Sequence, residues 1–309
     1  MFSIALLIAP IFALLVIGNL LRRHGVLDTD FWRLNDRLVY WILMPSLLFY
    51  KTSTADYDLS LVSTFATVIL GSFVVVLIYG IIIWRLSFFS GAVSSSIMQG
   101  ALRHNTFVAL ALTERIYGAE GLALGTLASA MLIPTTNFSV VSLMVVMTAK
   151  DKSQNIVTAI ARDLLRNPLL LAVLAGFACN TAFSGDIPIL HDTTRILGQG
   201  ALPITLLSVG ASIRIKQMAA DWKPMSFAIF GRMILFPVAT FIIAQMIGLT
   251  ELQTMVALIF ASVATASASY TLANQMNGDA PLMAAIITFQ TCLTFITIPV
   301  TLTVAAFAF

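Results

Sequence analysis

The chain has 309 residues, of which 59% are hydrophobic and only 10% charged, whereas a soluble globular domain carries roughly 25% charged residues. That excess of apolar side chains excludes a water-soluble enzyme or binding module and makes a lipid bilayer the expected solvent. A net charge of +3 and a pI near 9.0 suggest an acidic partner, while two cysteines, Cys179 and Cys292, both within apolar runs, exclude a disulfide framework or a paired-ligand zinc site.

One bilayer crossing needs roughly 20 mainly apolar residues. Ten such runs follow one another, at 2–21, 34–50, 60–84, 92–117, 121–148, 162–183, 192–212, 224–248, 252–276 and 281–308. They are too long and too continuously apolar for barrel strands, so the predicted class is an all-α membrane protein with ten transmembrane helices. Arg22-Arg23 follow the first run instead of preceding it, and no small-residue cleavage site is present, so that run reads as a retained helix.

The fourth run contains Gly100-Ala101-Leu102-Arg103-His104-Asn105-Thr106. At about 1.5 Å per residue from Ala92, Arg103 lies about 16 Å deep, where an arginine costs at least about 2.5 kcal/mol and marks a functional site by default. A start near Ser96 reduces the depth to about 10 Å and makes snorkelling the competing reading. In the ninth run, Ser262-Val263-Ala264-Thr265-Ala266-Ser267-Ala268-Ser269-Tyr270-Thr271 is rich in hydroxyls and small residues. Such residues permit either a break whose freed backbone groups the hydroxyls satisfy, or a tight crossing of unbroken helices. Asn137 in the fifth run and Gln290 in the tenth either face the same cavity or bond a neighbouring helix. Glu114-Arg115, and Asp163 with Arg162 and Arg166, read as border residues whose exposed pairing contributes little. His24 and His191 lie far apart, and no nucleophile motif, phosphate loop or carboxylate dyad supports catalysis or a cofactor.

Assigning the breaks alternately to two sides places Arg22, Arg23, Arg33, Arg37, Arg85, Lys150, Lys152, Arg162, Arg166, Arg214, Lys216, Lys223 and Arg232 on one side. Only Lys51, Arg115 and Arg195 fall on the other. The richer side is the expected cytoplasmic one, with both termini outside. Basic residues spread along membrane borders do not form a nucleic-acid face.

Shifting the sequence by 158 residues superimposes Pro10 on Pro168, Gly18 on Gly176, Arg37 on Arg195 and Pro45 on Pro203, and Gly118 meets Gly278 at a shift of 160. Recurrent helix-punctuating residues suggest a repeat. The expected organisation is a first five-helix unit over 1–149, a short connection over 150–160 and a second unit over 161–309. Five is odd, so the second unit enters from the opposite side, the inverted-topology arrangement of many secondary transporters. Interrupted helices at matching positions of such halves point to the substrate site.

Arg103-x-Asn105 leading to Ile116-Tyr117-Gly118-Ala119-Glu120-Gly121, with Leu43-Met44-Pro45-Ser46-Leu47-Leu48-Phe49, Tyr270-Thr271-Leu272-Ala273 and Ile296-Thr297-Ile298-Pro299, resembles the auxin efflux carrier family over essentially the whole chain. The resemblance implies two inverted five-helix repeats similar to those of bile-acid sodium symporters, with the fourth and ninth helices broken and crossing. It also implies alternating-access transport of a carboxylate-bearing small molecule, as a homodimer. Carried over by position, the crossing involves Arg103, His104, Asn105 and Thr106 with Thr265, Ser267 and Ser269. Prolines common at the family's crossings are missing here: Leu110, Ala264 and Thr265 stand in their places. The short central connection resembles bacterial members, which places the expected carrier in an inner membrane. The coupling ion, H+ or Na+, stays open, and a membrane-embedded receptor without transport is the competing class.

Overall fold

The computed structural model describes residues 2–55, 59–86, 88–148, 166–183, 185–213 and 221–309. The 150–160 connection, Lys150, Lys152, Arg162, Asp163, Arg214 and Lys216 lie outside the described residues. The described residues are all-helical, without strands. Helix α1 is Phe2–Arg23; α2 runs as Thr29–Leu38, a π turn Val39–Leu43, and Met44–Thr54; α3 is Leu59–Arg85. Helix α4 has two halves, Gly91–Leu102 and 106–117, and α5 is 119–148, the two helices being separated by Gly118 at φ 64°. Then come α6, Pro168–Ala182, and α7, Leu190–Ser212. Helix α8 is Trp222–Phe230, a π turn Gly231–Leu235, and Phe236–Ile247. Helix α9 has halves Glu251–Ser262 and Ala268–Gln275, and α10 is Ala280–Ala306.

Length and hydropathy alone qualify Ile4–Arg23, Ser60–Arg85, Trp222–Ile247, Ala280–Ala306 and the 58-residue run Gly91–Thr148 as spans. At about 1.5 Å per residue that last run is about 87 Å long, far beyond about 30 Å of hydrocarbon. The Gly118 turn divides it, because a positive φ is open to glycine at little cost.

The helices pack in two groups. Helices α1, α2, α6 and α7 form one, in which α1 lies along α7, and the second part of α2 lies along α6 and α7. Helices α3, α4, α5, α8, α9 and α10 form the other, in which α3 meets α8 and the first half of α9 meets α5. Small residues set the closest approaches in the first group. A Cβ on Gly18 would come within 2.0 Å of the Leu207 carbonyl, one on Gly210 within 2.0 Å of the Leu15 carbonyl, and one on Gly176 within 2.9 Å of the Phe49 carbonyl. These contacts repeat at the 158-residue shift: Gly18 against Leu207 corresponds to Gly176 against Phe49. Polar contacts repeat as well, since Arg22 donates to the Ala211 carbonyl and Asn180 donates to the Ser53 carbonyl.

Each π turn ends two residues before a proline, Pro45 or Pro237. A proline inside a helix lacks an N–H and its ring collides with the carbonyl four residues back. The wider i to i+5 turn relieves that collision; its closing bonds run from Met44 to the Val39 carbonyl and from Phe236 to the Gly231 carbonyl.

Candidate functional site: the crossing of two broken helices

Both interrupted runs are broken without a proline at either break. The first half of α4 ends where the Arg103 amide donates to the Gln99 carbonyl, and Arg103 turns to extended backbone, φ −73° and ψ 139°. His104 and Asn105 continue outside the helix. Asn105 then caps the second half, its Oδ1 accepting from the Val108 amide at 3.2 Å, the bond that makes Asn a preferred N-cap. In α9 the helix ends at Ser262, Val263 is extended at ψ 153°, and the chain re-enters a helix at Ala268. The breaks meet: the Asn105 amide donates to the Ala264 carbonyl at 2.8 Å.

Each first half-helix ends on carbonyls that need donors deep in the protein. For α4, the Gly100 carbonyl accepts from Thr265 Oγ1 at 2.8 Å and from Gln290 Nε2 at 2.9 Å. Gln290 Oε1 in turn accepts from the Thr265 amide at 2.9 Å and from its hydroxyl at 2.7 Å, and Gln290 Nε2 also reaches the Ala228 carbonyl at 3.3 Å. Thr265 and Gln290 are fully buried, so they form a lock between α4, α8, α9 and α10.

For α9 the donor is Arg232. Its Nε donates to the Val263 carbonyl at 2.6 Å and an Nη to the Phe260 carbonyl at 2.5 Å, while its guanidinium lies 5.0 Å from the Phe236 ring. The sequence places Arg232 among the border cations; the structure corrects this, because the residue is 0% exposed. Its position follows from the π turn that Pro237 imposes, and the rigid guanidinium fork supplies two carbonyls at once.

Arg103, His104, Asn105, Thr106, Asn137 and Ser267 line one cavity of about 580 Å³. The buried His104 shares a hydrogen bond with Thr106 Oγ1 at 3.0 Å and packs 5.7 Å from the Phe260 ring. Asn137 brings α5 to the cavity, and Asn167, the cap of α6, borders it too. Thr265, Gln290 and Ser269 are not on its wall; Ser269 is fully buried and its Oγ has no hydrogen-bond partner among the described residues. Arg103 is the one charged side chain among the lining residues, and the first turns of both second half-helices, at Thr106-Phe107 and Ser267-Ala268, open onto the same space. A neighbouring cavity of about 580 Å³ shares Tyr40, Phe107, Ser267, Ala268 and Thr271 with it and extends to Arg22, Arg33 and Arg37. The crossing cavity thus adjoins one bordered by Arg22, Arg33 and Arg37 together with the carboxylate Asp36.

Chemically, the cavity offers a cation, an imidazole, four side-chain amides (Asn105, Asn137, Asn167 and Gln275), hydroxyls and two positive helix ends, and no carboxylate among the lining residues. Positive helix ends and a cation of this kind are groups that can hold an anion. Sequence reasoning missed Arg232, although the span 224–248 already contained it about 12 Å from the nearer end at about 1.5 Å per residue.

The chain matches, over residues 3–302, the model of a family described as membrane transport protein. No curated protein matches it in sequence.

Proposed function

The chain belongs to the membrane transport protein family that comprises the auxin efflux carriers, and from that premise we propose that it is a secondary carrier moving a small organic anion, a carboxylate such as a dicarboxylate or an auxin-like acid, by alternating access. The observation that carries this reading is the lining of the crossing cavity, where Arg103 and two half-helix N-termini face one space without a lining carboxylate. Arg103 neutralises the ligand, and Asn105, Thr106 and Ser267 orient it. Asn137 completes the wall, His104 holds Thr106, and Thr265 with Gln290 keeps the two breaks in register, with Ser269 behind them.

In this reading residues 1–149 and 161–309 are inverted five-helix repeats joined through 150–160. The recurrence of packing contacts at the 158-residue shift supports it, as does the partner exchange in which α1 lies on α7 while α6 lies on α2. The group α1, α2, α6 and α7 is the frame against which the crossing group rocks. The basic face is cytoplasmic, the termini are outside, and the carrier works as a homodimer in a bacterial inner membrane, with H+ or Na+ as the coupling ion.

Binding tests the anion site directly. Malonate, malate and indole-3-acetate are titrated onto purified protein while its thermal unfolding is followed. A ligand at 100 times its Kd stabilises by about 2.7 kcal/mol. The carrier reading expects one of these anions to stabilise the parent and none to stabilise a folded, membrane-inserted Arg103→Gln variant. Equal stabilisation of both proteins removes Arg103 from the site.

A further inference from the structure

A third cavity, of about 660 Å³, lies between α1, α2, the second half of α4 and α7, lined by Lys51, Arg115 and Arg195. These are the three basic residues that the alternating assignment of breaks leaves on the sparsely charged face. Lysine and arginine are disfavoured on that face, yet all three that occur there border this one cavity. Glu114 is the one carboxylate among its lining residues. Two of the cations are held in place: Arg195 pairs with Asp192 at 2.7 Å, and Arg115 Nε donates to the Leu7 carbonyl at 3.2 Å. Lys51 lies 5.8 Å from the Tyr50 ring, which also lines the cavity.

Position in the repeat is an independent observation. Shifted by 158, Arg195, Gln199, Tyr50 and Lys51 of this cavity become Arg37, Trp41, Ser208 and Val209, all of which line the cavity that adjoins the crossing cavity. The two cavities are therefore counterparts on opposite faces, built from corresponding residues. They also approach one another along a single segment. Phe107 borders the crossing cavity and Ala111 the opposite one, about 6 Å apart at about 1.5 Å per residue, with buried Val108, Ala109 and Leu110 between them.

We propose that this opposite cavity is an anion-binding vestibule, the far half of the substrate path, in which Lys51, Arg115 and Arg195 concentrate small organic anions before or after they pass the crossing. The proposal rests on the carrier reading for its place in a path, while its charge selectivity is measured apart from transport. Cations gathered around a low-dielectric cleft focus the field and raise the local concentration of anions.

The test places a single thiol in the vestibule, Gln199→Cys in a Cys179→Ser/Cys292→Ser background, and adds impermeant methanethiosulfonates to that face. The rate ratio of the anionic sulfonatoethyl reagent to the cationic trimethylammonium reagent, referred to the same ratio for a free thiol in solution, is expected to be raised several-fold. It falls back toward the solution value when Lys51, Arg115 and Arg195 are all changed to Gln, and partway with Arg195→Gln alone. A ratio that these substitutions leave unchanged overturns the proposal. For any anion that is transported, the triple variant should raise the half-saturation concentration from this face several-fold at unchanged maximal rate, and an unchanged half-saturation also overturns it. Absence of flux for every anion tried counts against the carrier reading, and the labelling ratio still decides the vestibule.

Discussion

In the carrier reading Asn105 has a structural duty and a ligand-orienting one, and a single substitution separates them. Its Oδ1 caps the second half of α4 and its amide ties that half to the Ala264 carbonyl. Aspartate caps as well as asparagine does, so Asn105→Asp should fold and insert like the parent while adding a carboxylate to a cavity whose lining has none. Anion-dependent thermal stabilisation is expected to vanish in this variant, and retention of full stabilisation would place the ligand elsewhere. Arg232 is the opposite case, a residue whose loss is structural first. Arg232→Ala leaves the Phe260 and Val263 carbonyls without their donor, at about 1 to 3 kcal/mol for each buried group. Unfolding in detergent should show a loss of that order, and Arg232→Lys, which keeps the charge without the fork, should recover only part of it. Stability equal to the parent in the alanine variant would mean that the α9 break does not need this residue. Legibility at this scale followed from contrast: Arg103, His104, Asn105 and Thr106 stand out because polar groups in an apolar run are costly. Arg232 was hidden because tallying charges by loop assigned it to a border, and only its depth within 224–248, with Pro237 five residues on, carries the signal.

At the level of helices, hydropathy fixed ten runs, and the Gly118 turn falls in the gap read between the fourth and fifth. The breaks in α4 and α9 were indicated by polar and small residues, but not their mechanism. Without proline they are held by Gln290 and Thr265 on one side and Arg232 on the other, which are tertiary partners distant in sequence. The close contact of α1 with α7 yields a prediction of its own. Gly18→Val would push a side chain into the Leu207 carbonyl, and Gly176→Val would do the same at Phe49. Overpacking costs typically about 1 to 3 kcal/mol, and if the two sites are equivalents in a duplicated fold, both variants should lose stability by similar amounts. A loss in one and none in the other would argue against equivalence.

For the whole molecule, composition identifies the solvent, while the packing of α1 on α7 and of α6 on α2 emerges only in the structure. The cavities were not legible, because they are formed by residues from helices far apart in the chain, and Thr265, Ser267 and Ser269, neighbours in sequence, separate into lock, wall and buried core. The proposed carrier uses the two cavities that border the second half of α4 as the two ends of one path, whereas a receptor has no need of the second. The most direct measurement is therefore flux: purified protein in proteoliposomes, labelled malonate, malate and indole-3-acetate, with and without imposed potential, proton and sodium gradients. Saturable movement of at least one of these anions is expected, enhanced by one gradient and abolished by Arg103→Gln. Ligand-dependent stabilisation of the parent protein with no flux under any gradient would contradict it and leave a receptor in place of a carrier.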